Sequence, residues 1–144
     1  MKYFDTAYLA KCYLNELGSE QVRAVAATGG AIACCGYGRL ELMSVFHRNL
    51  REGNITRAEW NLILRQFELD ERGHLWTWLP MTPTLIESAA QRFRKLSASV
   101  YLRAADALHL ACAAEHHYRE VFSNDRHLLA AAELFGLEGR NVIA

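Results

Sequence analysis

Four acidic side chains, Asp5, Glu41, Asp106 and Asp125, stand at positions where they could converge on one site. Asp5 and Asp125 each follow a short apolar run, Tyr3-Phe4 and Val121-Phe122, that reads as a strand. In open parallel sheets, ligands gather at the carboxyl edge of the strands, so two acids at such edges are candidates to converge. An acid in that position also commonly caps the next helix. Glu41 and Asp106 lie inside apolar stretches instead. Leu40, Leu42 and Met43 flank Glu41, and Ala104, Ala105, Ala107 and Leu108 flank Asp106. A carboxylate with such neighbours is expected to be partly buried, and a buried charge is costly unless a cation compensates it. Arg103 or Arg39 could do so in a structural ion pair. A metal ion is the functional alternative.

Four carboxylates at one edge would repel one another. A pair about 4 Å apart costs on the order of 4 kcal/mol at an effective dielectric of about 20. Either one acid keeps its proton or a divalent cation neutralises the group. All-oxygen ligation favours the hard ions Mg²⁺ or Mn²⁺ over zinc. Such a site can activate a water and hold the attacking and leaving oxygens of a phosphodiester. That chemistry needs no nucleophilic Ser or Cys.

The elements that would position these acids follow from the spacing of apolar residues. Residues 2–5 read as a strand, with Thr6 as a turn or N-cap residue. Helical spacing covers 7–16 until Gly18, and Ser19 then reads as the N-cap of a helix over 20–28. Residues 31–35 form a continuous apolar run that fits a buried parallel strand, and Gly36 and Gly38 are expected to bracket a turn after it. Helices are expected over 39–51 and 55–72, the latter opened by a Thr56/Glu59 capping box. Residues 75–79 read as a strand. Thr82 and Pro83 then start a helix over 84–97. A very apolar helix runs from Arg103 to His116, followed by a strand at 121–123, a helix from Asn124 to Phe135, and a last short strand at Asn141-Val142-Ile143. Alternation of strands and helices predicts an α/β fold: a three-layer α/β/α sandwich with a central, mostly parallel sheet.

Bulk properties bound the rest. The 144 residues are enough for one domain with a real core, and no linker or repeat divides them, so residues 1–144 are expected to form a single unit. Sixteen basic and sixteen acidic residues balance to zero net charge. That excludes a generally basic polyanion binder, although a local patch or bound cations could still attract phosphate. Cys12, Cys34, Cys35 and Cys112 show no zinc-like spacing and read as buried reduced thiols. Charges interrupt the opening residues, and no apolar stretch approaches the ~18 residues of a membrane span. The cytoplasm is the expected compartment, with no membrane partner.

Four segments together resemble the PIN-domain family, and within it the VapC-type toxins of bacterial toxin–antitoxin pairs. They are MKYFDTAYLAKCYLNE, RLELMSVFHRNL, LRAADALHLACA and VFSNDRHLLAAAELFGL, in the family's order and across nearly the whole chain. The resemblance implies a PIN-like sandwich with Mg²⁺- or Mn²⁺-dependent endoribonuclease activity. The family's acids would map onto Asp5, Glu41, Asp106 and Asp125. Thr6, Ser123 and Asn124 would support them by hydrogen bonding. It also implies a homodimer and a cognate antitoxin protein that inserts a segment into the catalytic groove. The stretch Cys34-Cys-Gly-Tyr-Gly38 departs from the pattern, since many relatives carry Ser or Thr near that strand end.

Other residues carry weaker signals. Lys11, Arg39 and Arg126, with Arg48 and Arg51, are candidates for phosphate contacts, against the alternative of a solvated face. His109, one helical turn after Asp106, could orient that acid or touch substrate, but reads more readily as a hydrogen-bonded core histidine. Trp60, Trp76 and Trp78 could stack bases, or pack in the core or a dimer interface. A DNA-directed phosphodiesterase on the same acids, or a non-catalytic RNA- or protein-binding module, are the competing functions.

Overall fold

The computed structural model describes residues 1–143. Five strands form one all-parallel sheet: β1 (Lys2–Phe4), β2 (Ile32–Cys35), β3 (Trp76–Leu79), β4 (Glu120–Phe122) and β5 (Glu138–Arg140). Their spatial order is β3-β2-β1-β4-β5. The chain winds outward from β1 through β2 to β3, then crosses to the other side of β1 for β4 and β5. The direction therefore reverses between β1 and β4. Tyr3 pairs with Ala33 on one side and with Val121 on the other.

Seven α-helices cover the sheet. They are α1 (Thr6–Lys11), α2 (Ser19–Ala26), α3 (Gly36–Arg51), α4 (Arg57–Arg72), α5 (Pro83–Lys95), α6 (Ala104–Glu115) and α7 (Arg126–Ala131), the last continued by a 3-10 turn over Ala132–Phe135. The period of two along each strand divides its side chains between two cores. Phe4, Ile32, Trp76 and Phe122 face Tyr8, Val22, Leu42, Phe46 and Phe67 on the α1–α4 side. Tyr3, Ala33 and Val121 face Leu85, Leu110 and Leu128 on the α5–α7 side. This is the expected α/β/α sandwich, with a sheet parallel throughout. No helix among the described residues is long and apolar enough to cross a membrane.

Local signals hold where side chains satisfy helix ends. The Thr56/Glu59 capping box is present at α4, and Thr82 caps α5 with Pro83 in its first turn. Four expectations need correction. The last strand is Glu138–Arg140 and not 141–143. Val142 and Ile143 are apolar because they pack on the α1–α4 core, where Tyr8 Oη accepts a hydrogen bond from the Val142 N–H. No turn separates β2 from the next helix, since α3 starts at Gly36. The first helix ends at Lys11, short of residue 16, and Gly18, at φ 88°, takes the N-cap position expected of Ser19. Ser19 Oγ instead donates to the Leu14 carbonyl, and the Arg23 guanidinium bonds the Cys12 and Leu14 carbonyls. These contacts satisfy backbone groups that leave the helix early.

Candidate active site

Asp5 and Asp125 stand at the carboxyl ends of adjacent strands β1 and β4, where the winding reverses. That is the position at which open α/β sheets form a ligand crevice. Asp106 comes to the same edge at the third position of α6, and Glu41 from the second turn of α3. Three helix N-termini therefore point their positive ends toward Asp5, Asp106 and Asp125.

Asp5 is 5% exposed, and its two oxygens have different duties. Oδ1 caps α1 by accepting from the Tyr8 N–H at 2.9 Å, while Oδ2 accepts from the Ser123 hydroxyl. Ser123, fully buried, also accepts from the Asp125 N–H at 2.9 Å. One hydroxyl thus ties the two strand ends together. Burial raises the Asp5 pKa above its usual range, and outweighs the Ser123 and Tyr8 hydrogen bonds that favour the carboxylate. Asp125 repeats the division of labour. Its Oδ1 caps α7 through the His127 and Leu128 N–H groups, and its Oδ2 turns toward Arg103. Cap and site are not competing readings at these positions, because each uses one oxygen.

Arg103 supplies the compensating cation. Its Nε donates to Asp106 Oδ2 at 3.0 Å and its Nη2 to Asp125 Oδ2 at 2.6 Å. The guanidinium spans both acids although the arginine side chain is 57% exposed. From the sequence, Arg103 is a candidate partner for the acids in apolar stretches, Glu41 and Asp106. The bridge to Asp125, across 22 positions, has no local signal. Arg39 goes elsewhere, in a bidentate pair with Glu71 that joins α3 to α4.

Glu41 is held by a separate group. Its Oε1 lies 2.8 Å from both Thr6 Oγ1 and His109 Nε2. Burial works against its charge, but the His109 and Thr6 hydrogen bonds prevail and leave its pKa below the ordinary value. His109 is 3% exposed and reaches Tyr3 Oη at 2.8 Å with Nδ1. It is the core histidine expected from the sequence, with Glu41 rather than Asp106 as its partner. Burial opposes its charge, yet Cys35 and Glu41 together push its pKa up. No buried side-chain nitrogen or oxygen among the described residues lacks a hydrogen-bond partner.

The remaining candidates are dispersed. Asn124 is exposed, as is Arg126. Lys11 is buried and paired with Glu16 at 2.7 Å. Trp76 donates to Tyr13 Oη and Trp78 to Glu71, so both indole N–H groups are committed to packing on the α1–α4 side. The carboxylates share an edge but have not closed into a cage. Among the described residues, the group of three metal-capable side chains with donor atoms all within 4.8 Å of one another is Cys34, Cys35 and His109. The donor set itself, carboxylate oxygens with a hydroxyl behind them, suits a hard divalent ion.

No curated protein matches the chain. The family model for the PIN domain matches residues 2–134, from the first strand through the turn that follows α7 and including all four acids. The chain belongs to the PIN-domain family.

Proposed function

We propose that this protein is a Mg²⁺- or Mn²⁺-dependent endoribonuclease that acts as the toxin of a toxin–antitoxin pair. PIN domains are generally metal-dependent nucleases, and membership of that family supports the coarser statement directly. The observation that carries the finer reading is the edge itself. Asp5 and Asp125 cap two helices and Asp106 stands in the first turn of a third at the sheet's reversal point, and the last two acids in the chain share one cation in Arg103.

In this reading Asp5, Asp106 and Asp125 would hold the ion, with Glu41 beside them. A bound divalent ion supplies activation of water and neutralisation of phosphate charge. The chain's own groups prepare that role. Ser123 fixes the direction of Asp5 Oδ2, and Thr6 with His109 fixes Glu41. Arg103, largely in solvent, bridges Asp106 and Asp125 and holds their Oδ2 atoms toward one another. The RNA would be gripped mainly through its backbone and unpaired bases, with exposed Arg126 the best placed of the candidate cations. A homodimer and an antitoxin segment lying in the groove complete the proposal.

A second reading draws on Arg103. Because this arginine already satisfies Asp106 and Asp125, the edge could serve a binding module without catalysis. One experiment separates the possibilities. RNA and single-stranded DNA pools are offered to the protein with Mg²⁺, with Mn²⁺ and with a chelator. Cleavage of RNA alone, abolished by the chelator, is the expected result. Cleavage of DNA would redirect the substrate class. Binding without cleavage under every condition would establish the second reading.

A further inference from the structure

Beneath Glu41 lies a cluster of soft donors that the carboxylate edge does not use as ligands. Cys34 and Cys35 end β2, and His109 reaches them from α6. All three are buried, and their donor atoms lie within 4.8 Å of one another. His109 Nδ1 is 3.6 Å from Cys35 Sγ and 3.9 Å from Cys34 Sγ. In a tetrahedral zinc site, bonds of about 2.3 Å to sulfur and ~2.0 Å to nitrogen place those atoms roughly 3.5 Å apart. The two observed separations are within about half an ångström of that edge.

The histidine is also oriented for ligation. An ionised carboxylate only accepts hydrogen bonds, so the contact between Nε2 and Glu41 Oε1 puts a hydrogen on Nε2. Nδ1 then faces Tyr3 Oη and both cysteine sulfurs, so a cation that displaces its proton would find that lone pair and the two sulfurs together. A carboxylate behind a ligating histidine is the usual outer partner in metal sites. Cys35 is the N-cap residue of α3, where the helix dipole favours a thiolate. The Cys34 hydrogen bond, opposed by burial and assisted by His109, holds the Cys35 thiol below its usual range, while burial and Cys35 push the Cys34 thiol up, so an ion bound by both must displace the Cys34 proton. Gly38 makes the room: a Cβ there would collide with Cys34 Sγ and crowd the His109 ring and Thr6 Oγ1. Two thiolates would cancel the charge of a divalent ion, so the filled site would be neutral where a net charge is costly.

We propose that Cys34, Cys35 and His109 form a second cation site, for a thiophilic divalent ion of the zinc class, beneath the carboxylate edge. It stands independently of the nuclease reading. The test is titration of the reduced full chain with Cd²⁺, as a spectroscopic substitute for zinc, in excess Mg²⁺ to occupy oxygen-only sites. One Cd²⁺ per chain is expected, with thiolate-to-cadmium charge-transfer absorption and two sulfurs in its X-ray absorption shell. The band is expected to persist in a Cys12→Ser/Cys112→Ser protein, whose only sulfur ligands of this kind are Cys34 and Cys35. It is expected to vanish in Cys34→Ser/Cys35→Ser. Absence of the band in the unsubstituted chain, a cadmium shell without sulfur, or a band that disappears with Cys12 and Cys112 would overturn the proposal. The X-ray measurement on the unsubstituted chain decides it even where a variant fails to fold.

Discussion

At Asp5 one oxygen belongs to the fold and the other to the site, and substitutions can separate the two. Asparagine caps a helix about as well as aspartate, so Asp5→Asn should keep the Tyr8 contact while removing the charge. Burial raises the folded-state pKa of Asp5. Its favourable contribution is therefore full below the ordinary aspartate value of about 3.9 and is lost as pH rises through the raised one. The melting temperature of Asp5→Asn relative to the unsubstituted protein should thus rise with pH across that window; a constant difference would refute the burial argument. Ser123→Ala removes the hydroxyl that orients Asp5 Oδ2. We expect Mn²⁺ affinity, by titration calorimetry, to fall about 10- to 100-fold, the usual loss for a partner behind a ligand. The acids were legible because a carboxylate among alanines or leucines is conspicuous in any sequence. Their partners were not, because Glu41 and His109 are 68 positions apart and only the fold joins them.

Among the elements, those with self-contained signals were read well. The capping box of α4 and the Thr82-Pro83 start of α5 are local chemistry, independent of what packs against them. The end of the chain misled, because Val142 and Ile143 look like a strand yet are apolar for packing. The edge strand that exists, Glu-Gly-Arg, carries no hydrophobic signal, and backbone pairing with β4 alone defines it. The glycines after β2 were read as a turn although they open α3. Gly38 is needed for a close approach to Cys34 rather than for a turn. Gly38→Ala should therefore destabilise the protein by about 1–3 kcal/mol, the range for overpacking a filled core. A urea midpoint unchanged from the unsubstituted protein would contradict that close packing.

For the whole molecule, the winding that reverses between β1 and β4 gathers residues from positions 5, 106 and 125 at one edge. Its neutral charge limits how RNA can be held. Lys11 and Arg39 are already paired with Glu16 and Glu71, which leaves few of the candidate cations for phosphate. With roughly two phosphate contacts, a slope of ~−0.7 per contact predicts only about a sevenfold loss of single-stranded RNA affinity between roughly 50 and 200 mM salt. A loss of a thousandfold would reveal a basic surface that this account does not contain. The central claim is that the acids at the reversal point carry out the chemistry. Its most direct test is the single-turnover rate at which the unsubstituted protein and Asp106→Asn cleave one labelled RNA in Mn²⁺. Asparagine keeps the shape of the side chain and the Arg103–Asp125 pair, and removes one charge. A loss of at least about 100-fold, the upper end of what removing a partner behind a ligand costs, is the predicted result. Equal rates for the two proteins would contradict the account.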